Sequence, residues 1–352
     1  VRIVHLRSAD YARRSGGWVY NTRLAAALAA QADTFTEIVV PVAFPSIGEQ
    51  DAARLAAGFA ALPPDSILVS DHLHVAQLIP QLADRQFSLA AIFHHSTTIE
   101  DEANGVHPDA EEERRCLAMC DAVIVTSDET AAYAVGHHGV APSRLVLAAP
   151  GNDIVPRASG PSAKSRRILT VGAAVARKRY PYLVEVASRL RSADWHWTIV
   201  GDLERDPDHV AALRSVIDGA GLAARIHLAG AIEDGALADE WNRSGLYVAA
   251  SLYEGYGMAV SEALRHGVPV VTTASGAVAG WAGEAVMLAP DDDAAAFARI
   301  IDGVLDDGAG QGRLSDLAFA FGSSLPGWDA TFADIAPRIA TACLGPEVEA
   351  AA

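Results

Sequence analysis

Twice along this chain, short runs rich in Val, Ile and Leu alternate with apolar-periodic segments of helical length, and that rhythm narrows the fold more than any other feature. In the first half the strand-like runs are 3–6, 37–42, 66–70, 89–93, 122–126 and 144–147, and the helical segments are 21–31, 50–60, 75–83, 109–120 and 128–137. In the second half the strands are 168–171, 197–200, 226–228, 246–250, 268–272 and 285–288, with helices at 180–190, 208–220, 234–242, 258–266 and 292–305. Strand, helix, strand in this order predicts βαβ units and mainly parallel sheets. The stretch 150–165, with Pro150, Gly151, Pro156, Gly160 and Pro161, interrupts the periodicity and reads as a linker. The expectation is an α/β chain of two doubly wound Rossmann-like domains facing across a cleft. The first spans 1–155 and is rejoined by a C-terminal helix at about 327–345; the second spans 156–326. Open parallel sheets bind ligands beyond the carboxyl ends of their strands, so sites are expected in the loops after strands.

Bulk properties remove several functions. A length of 352 residues suits two domains, each with its own core. With 27 basic against 44 acidic residues the net charge is −17, which disfavours nucleic acid as a partner. A phosphorylated small molecule stays compatible, because a helix N-terminus and one or two cations suffice to hold it. Cys116, Cys120 and Cys343 are too few for a disulfide framework, and no second pair accompanies Cys116 and Cys120 to make a metal site. No run reaches membrane-spanning length, and the opening residues read as a strand rather than a leader. The expectation is a cytoplasmic protein with no transmembrane segment, no bound metal and no cofactor.

The densest chemistry lies in 246–272. A strand runs to Ala250, then the loop Glu254, Gly255, Tyr256, Gly257 leads into a helix near Met258 that ends at Gly267. The glycines allow close backbone approach to a ligand. The N–H groups of Tyr256, Gly257 and Met258 are donors for phosphate or sugar oxygens. Glu254 and Glu262 bracket the loop, and carboxylates accept well from vicinal hydroxyls; an isolated pair would more commonly be a solvated loop residue and a helix-dipole partner.

The run Glu254, Gly255, Tyr256, Gly257, Met258, Ala259, Val260, Ser261, Glu262, continued by Ala263 to Val271, resembles the E-x7-E signature of family 4 glycosyltransferases (glycosyltransferase group 1), which are retaining enzymes of the GT-B fold. The resemblance implies that Glu262 holds the ribose of a nucleoside diphosphate sugar, and that Glu254 and the backbone from Gly255 through Met258 to Ala259 hold the sugar. Ile168 to Gly172, with Arg177 and Lys178, resembles the family's pyrophosphate loop, except that Ala173 stands where an arginine is usual. Gly230, Ala231 and Ile232 fall where base contacts are implied. Gly16 and Gly17 resemble the paired-glycine loop that approaches the donor phosphate. His94 matches a histidine near the transferred sugar. The catalytic residues implied are His94, Lys178 and Glu254, and Tyr11, Arg14, His72 and His95 are candidate acceptor contacts. The stretch 325–339, with Trp328, resembles the family's C-terminal helix. The implied activity is metal-independent, retaining transfer of a hexose from a nucleotide sugar, the co-substrate, to a small-molecule or glycan acceptor.

Rival readings are a sugar-nucleotide epimerase of the same architecture and a non-catalytic nucleotide-sugar-binding protein. A dinucleotide dehydrogenase is disfavoured because neither first strand is followed by G-x-G-x-x-G. The run Asp291, Asp292, Asp293, the only tight aspartate cluster, reads as a helix N-cap rather than a metal site.

Overall fold

A computed structural model describes residues 1–9, 15–40, 47–107 and 110–345. The chain divides into two compact units. One comprises Val1–Glu102, His107–Gly151 and Trp328–Ala352; the other comprises Asn152–Gly327 together with Ala103–Val106.

The sheet of the first unit contains β1 (Arg2–Ser8), β2 (Thr34–Val40), β3 (Ser66–Asp71), β4 (Ser88–Phe93), β5 (Ala122–Val125) and β6 (Leu145–Leu147), in the order β2-β1-β3-β4-β5-β6. All of its pairings are parallel. Successive strand residues enter opposite faces, as a pleated strand requires. Val4, Leu6, Leu68, Leu89 and Phe93 pack with Leu55, Phe59, Val75 and Leu117 in one core. Cys116 and Cys120 are buried in that same core as small apolar side chains. The helices Gly16–Gln31 and Ile335–Leu344 pack on each other, and the latter packs on β4, β5 and β6.

The second unit repeats the plan without repeating the sequence. Its strands are β7 (Arg167–Val171), β8 (His196–Val200), β9 (Ile226–Gly230), β10 (Leu246–Ala249), β11 (Val270–Thr273) and β12 (Met287–Ala289), in the order β12-β11-β10-β7-β8-β9. These pairings are likewise all parallel. Ile168, Trp197, Ile199, Val248 and Val271 face the helices Tyr180–Ala187 and Ala294–Asp306 in one core. Leu169, Tyr247, Ala249 and Val270 face Val260, Ala263, Leu264 and Ala318 in the other. Burial on both faces explains why these strands read as continuous apolar runs.

In each unit the chain reverses direction across the sheet at its first strand. In the first unit β1 is followed on one side by β2 and on the other by β3; in the second, β7 is flanked by β8 and β10. A crevice opens beyond the strand ends at such a reversal. The loops after β1 and β3, and those after β7 and β10, are therefore the places to look for function.

Several local expectations are corrected. The helix expected from residue 21 begins at Gly16, with Ser15 as its cap accepting from the Trp18 N–H at 3.2 Å. Gly16 and Gly17 are thus a first helical turn rather than a loop. The stretch 150–165 is not a free linker: Ala158 donates to the His266 carbonyl and Gly160 to that of Asn242, both at 2.8 Å. A Cβ on Gly160 would lie 2.2 Å from the Ser244 carbonyl oxygen, so this glycine serves close packing rather than flexibility. The helix Gly308–Ser324 was not foreseen. Its four glycines depress intrinsic helix propensity, but Asp307 caps it and Gly322 lies against the Leu264 carbonyl, where a Cβ would come within 2.2 Å. The single helix expected over 325–339 is two, Trp328–Thr331 and Ile335–Leu344. Pro337 explains the restart, because proline is tolerated only in a helix's first turn. Asp293 caps the helix Ala294–Asp306, accepting from the Ala296 N–H at 2.8 Å, as its place before that helix suggests.

Candidate active site

In the second unit the strand ends at the reversal are built from glycine. Gly172, Gly201 and Gly230 end the adjacent strands β7, β8 and β9 and are linked by backbone bonds: Gly172 donates to the Val200 carbonyl at 2.8 Å and Gly201 to that of Gly230 at 3.0 Å. A Cβ on Gly201 would sit 1.8 Å from the Gly172 carbonyl oxygen, so no other residue fits. The floor of the crevice is therefore bare backbone.

The loop after β7 turns through a short 3-10 segment, Ala176–Lys178, and delivers two cations to one carboxylate. Lys178 Nζ lies 2.5 Å from Glu254 Oε1, and an Arg177 guanidinium nitrogen lies 3.8 Å from Glu254 Oε2. Arg177 also donates to the Tyr253 carbonyl, and its own carbonyl accepts from the Leu252 N–H. The loops after β7 and β10 are thereby joined at the reversal. Arg179 departs from its neighbours: it pairs with Asp291 and lies over the Tyr182 ring at 4.3 Å. The three-residue basic run is thus two site cations and one surface cation.

Glu254 also accepts from the Ser251 hydroxyl at 2.6 Å. Burial alone would raise its pKa, but Lys178 and Arg177, with the Lys178 and Ser251 hydrogen bonds, outweigh it and hold the group down to about 2. The loop is pinned from below at Gly276, where a Cβ would lie 2.2 Å from the Glu254 carbonyl oxygen. Trp281 stacks on Tyr256 with ring centroids 4.9 Å apart and donates to its carbonyl at 2.7 Å. Ser251, Gly276 and Trp281 were missed by sequence reasoning; Ser251 alone carried a signal, being a polar residue at a strand end three positions before Glu254.

The helix Met258–Arg265 begins directly after Gly257. Gly257 has φ of 93°, and a Cβ there would meet a Val278 methyl at 2.5 Å. Its carbonyl accepts from Val260 and Ser261, while Met258 and Ala259 head the helix, where N–H groups have no intrahelical acceptor. Met258 is among the donors named from the sequence, together with Tyr256 and Gly257 before it. Glu262, in this helix, is the electrostatic opposite of Glu254. Burial, reinforced by the like charge of Asp153, pushes its pKa up to about 7, and among the described residues no hydrogen-bond donor meets its carboxylate. Gly255 is half-buried in the loop, and Gly230, Ala231 and Ile232 lead out of β9, with Ala231 exposed and Ile232 packed at the core's edge.

In the first unit, Gly17 lies beside His94, its hypothetical Cβ 3.5 Å from His94 Nε2. Tyr20, from the same helix, meets the His94 ring edge-on at 5.1 Å. His94 follows β4. Burial lowers its pKa to about 4, against the opposing pull of Asp71, so it is neutral at physiological pH. His95 is half-exposed and bonded to Glu100 at 3.1 Å. His72 was expected to contact an acceptor, and the structure corrects this: it is 3% exposed and enclosed, with Asp71 at 3.3 Å on one ring nitrogen and Glu113 at 3.3 Å on the other. Tyr11 and Arg14 lie outside the described residues.

Two parallel six-stranded sheets of this order, each covered by helices on both faces, make the fold GT-B. Solved structures with this fold run the length of the chain. Sucrose-phosphate synthase from Thermosynechococcus elongatus is 20% identical with TM-score 0.80, covering 100% of both chains. HepE from Anabaena, in complex with UDP and glucose, is 16% identical with TM-score 0.77, covering 97% of this chain and 99% of that one. A glycosyltransferase from Rickettsia africae is 15% identical with TM-score 0.70, covering 98% and 99%. No curated protein matches the chain. Residues 165–307 match the family of glycosyl transferases, group 1. That stretch holds Lys178, Glu254 and Glu262, and the match bears out the resemblance at the level of group 1 and the reading of the chain as a glycosyltransferase. Among the described residues no helix is long and apolar enough to cross a membrane.

Proposed function

We propose that this chain transfers a hexose from a nucleoside diphosphate sugar to a hydroxyl acceptor, with retention at the anomeric carbon and without a metal ion. The observation that carries the reading is the pairing of two unlike carboxylates around one helix N-terminus. Glu254 is ionised and clamped by Lys178 and Arg177, while among the described residues Glu262 meets no donor. The diol of a ribose supplies two O–H donors that would satisfy Glu262. The diphosphate meets Lys178, Arg177 and the N–H groups of Met258 and Ala259, and Glu254 and the loop backbone orient the sugar. Lys178 and Arg177 supply the positive charge that a divalent ion would otherwise bring. HepE structures are complexes with UDP and UDP-glucose, which makes UDP-glucose the first donor to test.

In the step proposed, the acceptor oxygen bonds to the anomeric carbon on the face from which the diphosphate departs. The leaving oxygen takes the acceptor's proton, and the products are a glycoside and the free nucleoside diphosphate. The protein stabilises the departing charge and holds the reactants in line. His94, neutral and fixed, is assigned to the sugar and acceptor side.

Glu262→Gln tests the donor assignment. Loss of a charge-assisted pair of hydrogen bonds is expected to weaken UDP binding by about 1.5–3 kcal/mol at pH 8. In the wild type, affinity should rise with pH through about 7 as Glu262 ionises, beyond the rise that ionisation of the phosphate itself gives; in the variant only the phosphate's share should remain. Stability should move the other way. A carboxyl whose folded pKa is raised loses stability for the fold as pH climbs from its unfolded value through the folded one. The variant should therefore melt higher than wild type at pH 8, with the gap closing as pH falls below about 4.5. Calorimetric titrations showing equal UDP affinity in both proteins at pH 8 would overturn the ribose assignment.

A further inference from the structure

A line of polar side chains in the first unit runs from the buried interior to His94. Glu113, 4% exposed, faces His72 at 3.3 Å. His72 faces Asp71 at 3.3 Å. Asp71 Oδ2 accepts from Asn21 Nδ2 at 3.2 Å, and Asn21 Oδ1 lies 2.9 Å from His94 Nε2. Beyond its place in the ion pair, Asp71 caps the helix His72–Gln77 through its other oxygen, accepting from the Leu73 N–H at 3.0 Å.

The direction of each bond follows from donor and acceptor chemistry. Asp71, ionised beside His72, only accepts, so Asn21 must turn its NH2 toward it. The amide oxygen of Asn21 then faces His94, and an oxygen can only accept. His94 Nε2 must therefore carry the proton, which leaves Nδ1 as the ring's acceptor. His94 Nε2 is also 3.7 Å from Asp71 Oδ2, so the Asn21 amide bridges the two groups from the side, and both of these neighbours of the ring nitrogen are acceptors.

We propose that Asp71 and Asn21 are positioning residues that set the tautomer of His94, with Asn21 linking its ring to the Asp71 carboxylate. The enzyme thereby presents a neutral histidine whose Nδ1 accepts a hydrogen bond from a hydroxyl of sugar or acceptor. The catalytic consequence rests on the assignment of His94 made above; the tautomer itself does not.

Asp71→Asn tests this directly. The new amide can keep the cap through its oxygen, but its NH2 now faces Asn21. Asn21 must flip to accept, turning its own NH2 toward His94 Nε2, which then has to be the acceptor. Two-bond 15N–1H spectra of histidine-labelled protein, with His94→Gln to assign the signal, are expected to show an Nε2–H tautomer at pH 7 in the wild type and an Nδ1–H tautomer in Asp71→Asn. In Asn21→Ala, which leaves Asp71 and its cap intact, Nε2 faces the Asp71 carboxylate alone, so its proton should persist and His94 should take up a second proton at higher pH than in the wild type. Release of UDP from UDP-glucose should fall about tenfold or more in kcat in Asp71→Asn, with KM for the donor unchanged. A wild-type Nδ1–H tautomer, or an unaltered Nε2–H signal in Asp71→Asn, overturns the positioning inference. A tautomer that switches while kcat stays constant supports the inference and instead overturns the assignment of His94 to the transfer.

Discussion

Replacing Lys178 with methionine is expected to lower donor turnover about a hundred- to a thousandfold, the range measured when one preorganised donor to a developing oxyanion is removed. Lys178 does two things at once. Its ammonium is the nearest cation to Glu254 and offsets that carboxylate's burial. On the present account it is also the charge that receives the departing diphosphate. Arg177, at 3.8 Å from Glu254, is left to do both in the variant. Methionine keeps the length and apolar stem of the side chain, so the loop's packing is retained. Arg179→Met is the matched control, because Arg179 is committed to Asp291 and Tyr182; it should retain turnover within about a factor of two. Steady-state release of nucleoside diphosphate at saturating donor measures both. A Lys178→Met enzyme within tenfold of wild type would remove Lys178 from the mechanism.

Glu113→Ala is expected to destabilise the first unit by about 3–5 kcal/mol, the cost of leaving a buried partner charge uncompensated. Glu113 accepts from the Ser96 hydroxyl, from the Thr97 N–H at 2.8 Å and from the Thr97 hydroxyl at 3.1 Å. It also stands within 3.3 Å of His72 and 3.0 Å of His138. Burial opposes its ionisation, yet the adjacent His138 and His72 rings and the Ser96 hydroxyl hold its pKa well below the usual carboxylate range. Burial likewise opposes charge on His72, but Asp71 and Glu113 raise its pKa to about 10. The signs fix the pH window. A depressed carboxylate contributes stability that is lost as pH falls below its unfolded value, and a raised histidine contributes stability that is lost as pH climbs through its folded one. The network is therefore at full strength between the unfolded carboxylate value near 4.5 and the unfolded histidine value of 6.5. Urea denaturation at pH 6, followed by hydrogen exchange in β4 and β5, reads the loss. An Ala variant within about 0.5 kcal/mol of wild type, the range of neutral surface substitutions, would contradict the account.

What the sequence made legible was whatever repeats or clusters locally. The alternation of apolar runs located the described strands to within a few residues, and most plainly those buried on both faces, which cannot hide their composition. The loop from Glu254 to Glu262 was legible because its glycines, helix start and carboxylates are contiguous. The connection of Lys178 to Glu254 could be foreseen only as two loops after strands, since the reversal of strand order that brings them together is written in the packing. Asn21, Asp71 and Glu113 went unnoticed for the same reason: each is an ordinary residue until β3, β4 and two helices bring it to His94 or His72. His72 was misread because a histidine at a strand end gives no local sign of whether it faces solvent or a buried carboxylate. The helix Gly308–Ser324 was hidden by glycines that exist for close contact, as at Gly322.

The most direct test of the central claim is to incubate the protein with UDP-glucose, then with a panel of other nucleoside diphosphate hexoses, in excess EDTA with a set of sugar and glycan acceptors. Proton NMR follows the anomeric signal and the nucleotide. The account predicts that a donor is consumed, that free nucleoside diphosphate appears, and that the new glycoside keeps the donor's anomeric configuration. Consumption that stops on chelation and returns with manganese, a product of inverted configuration, or a panel left wholly intact would contradict it.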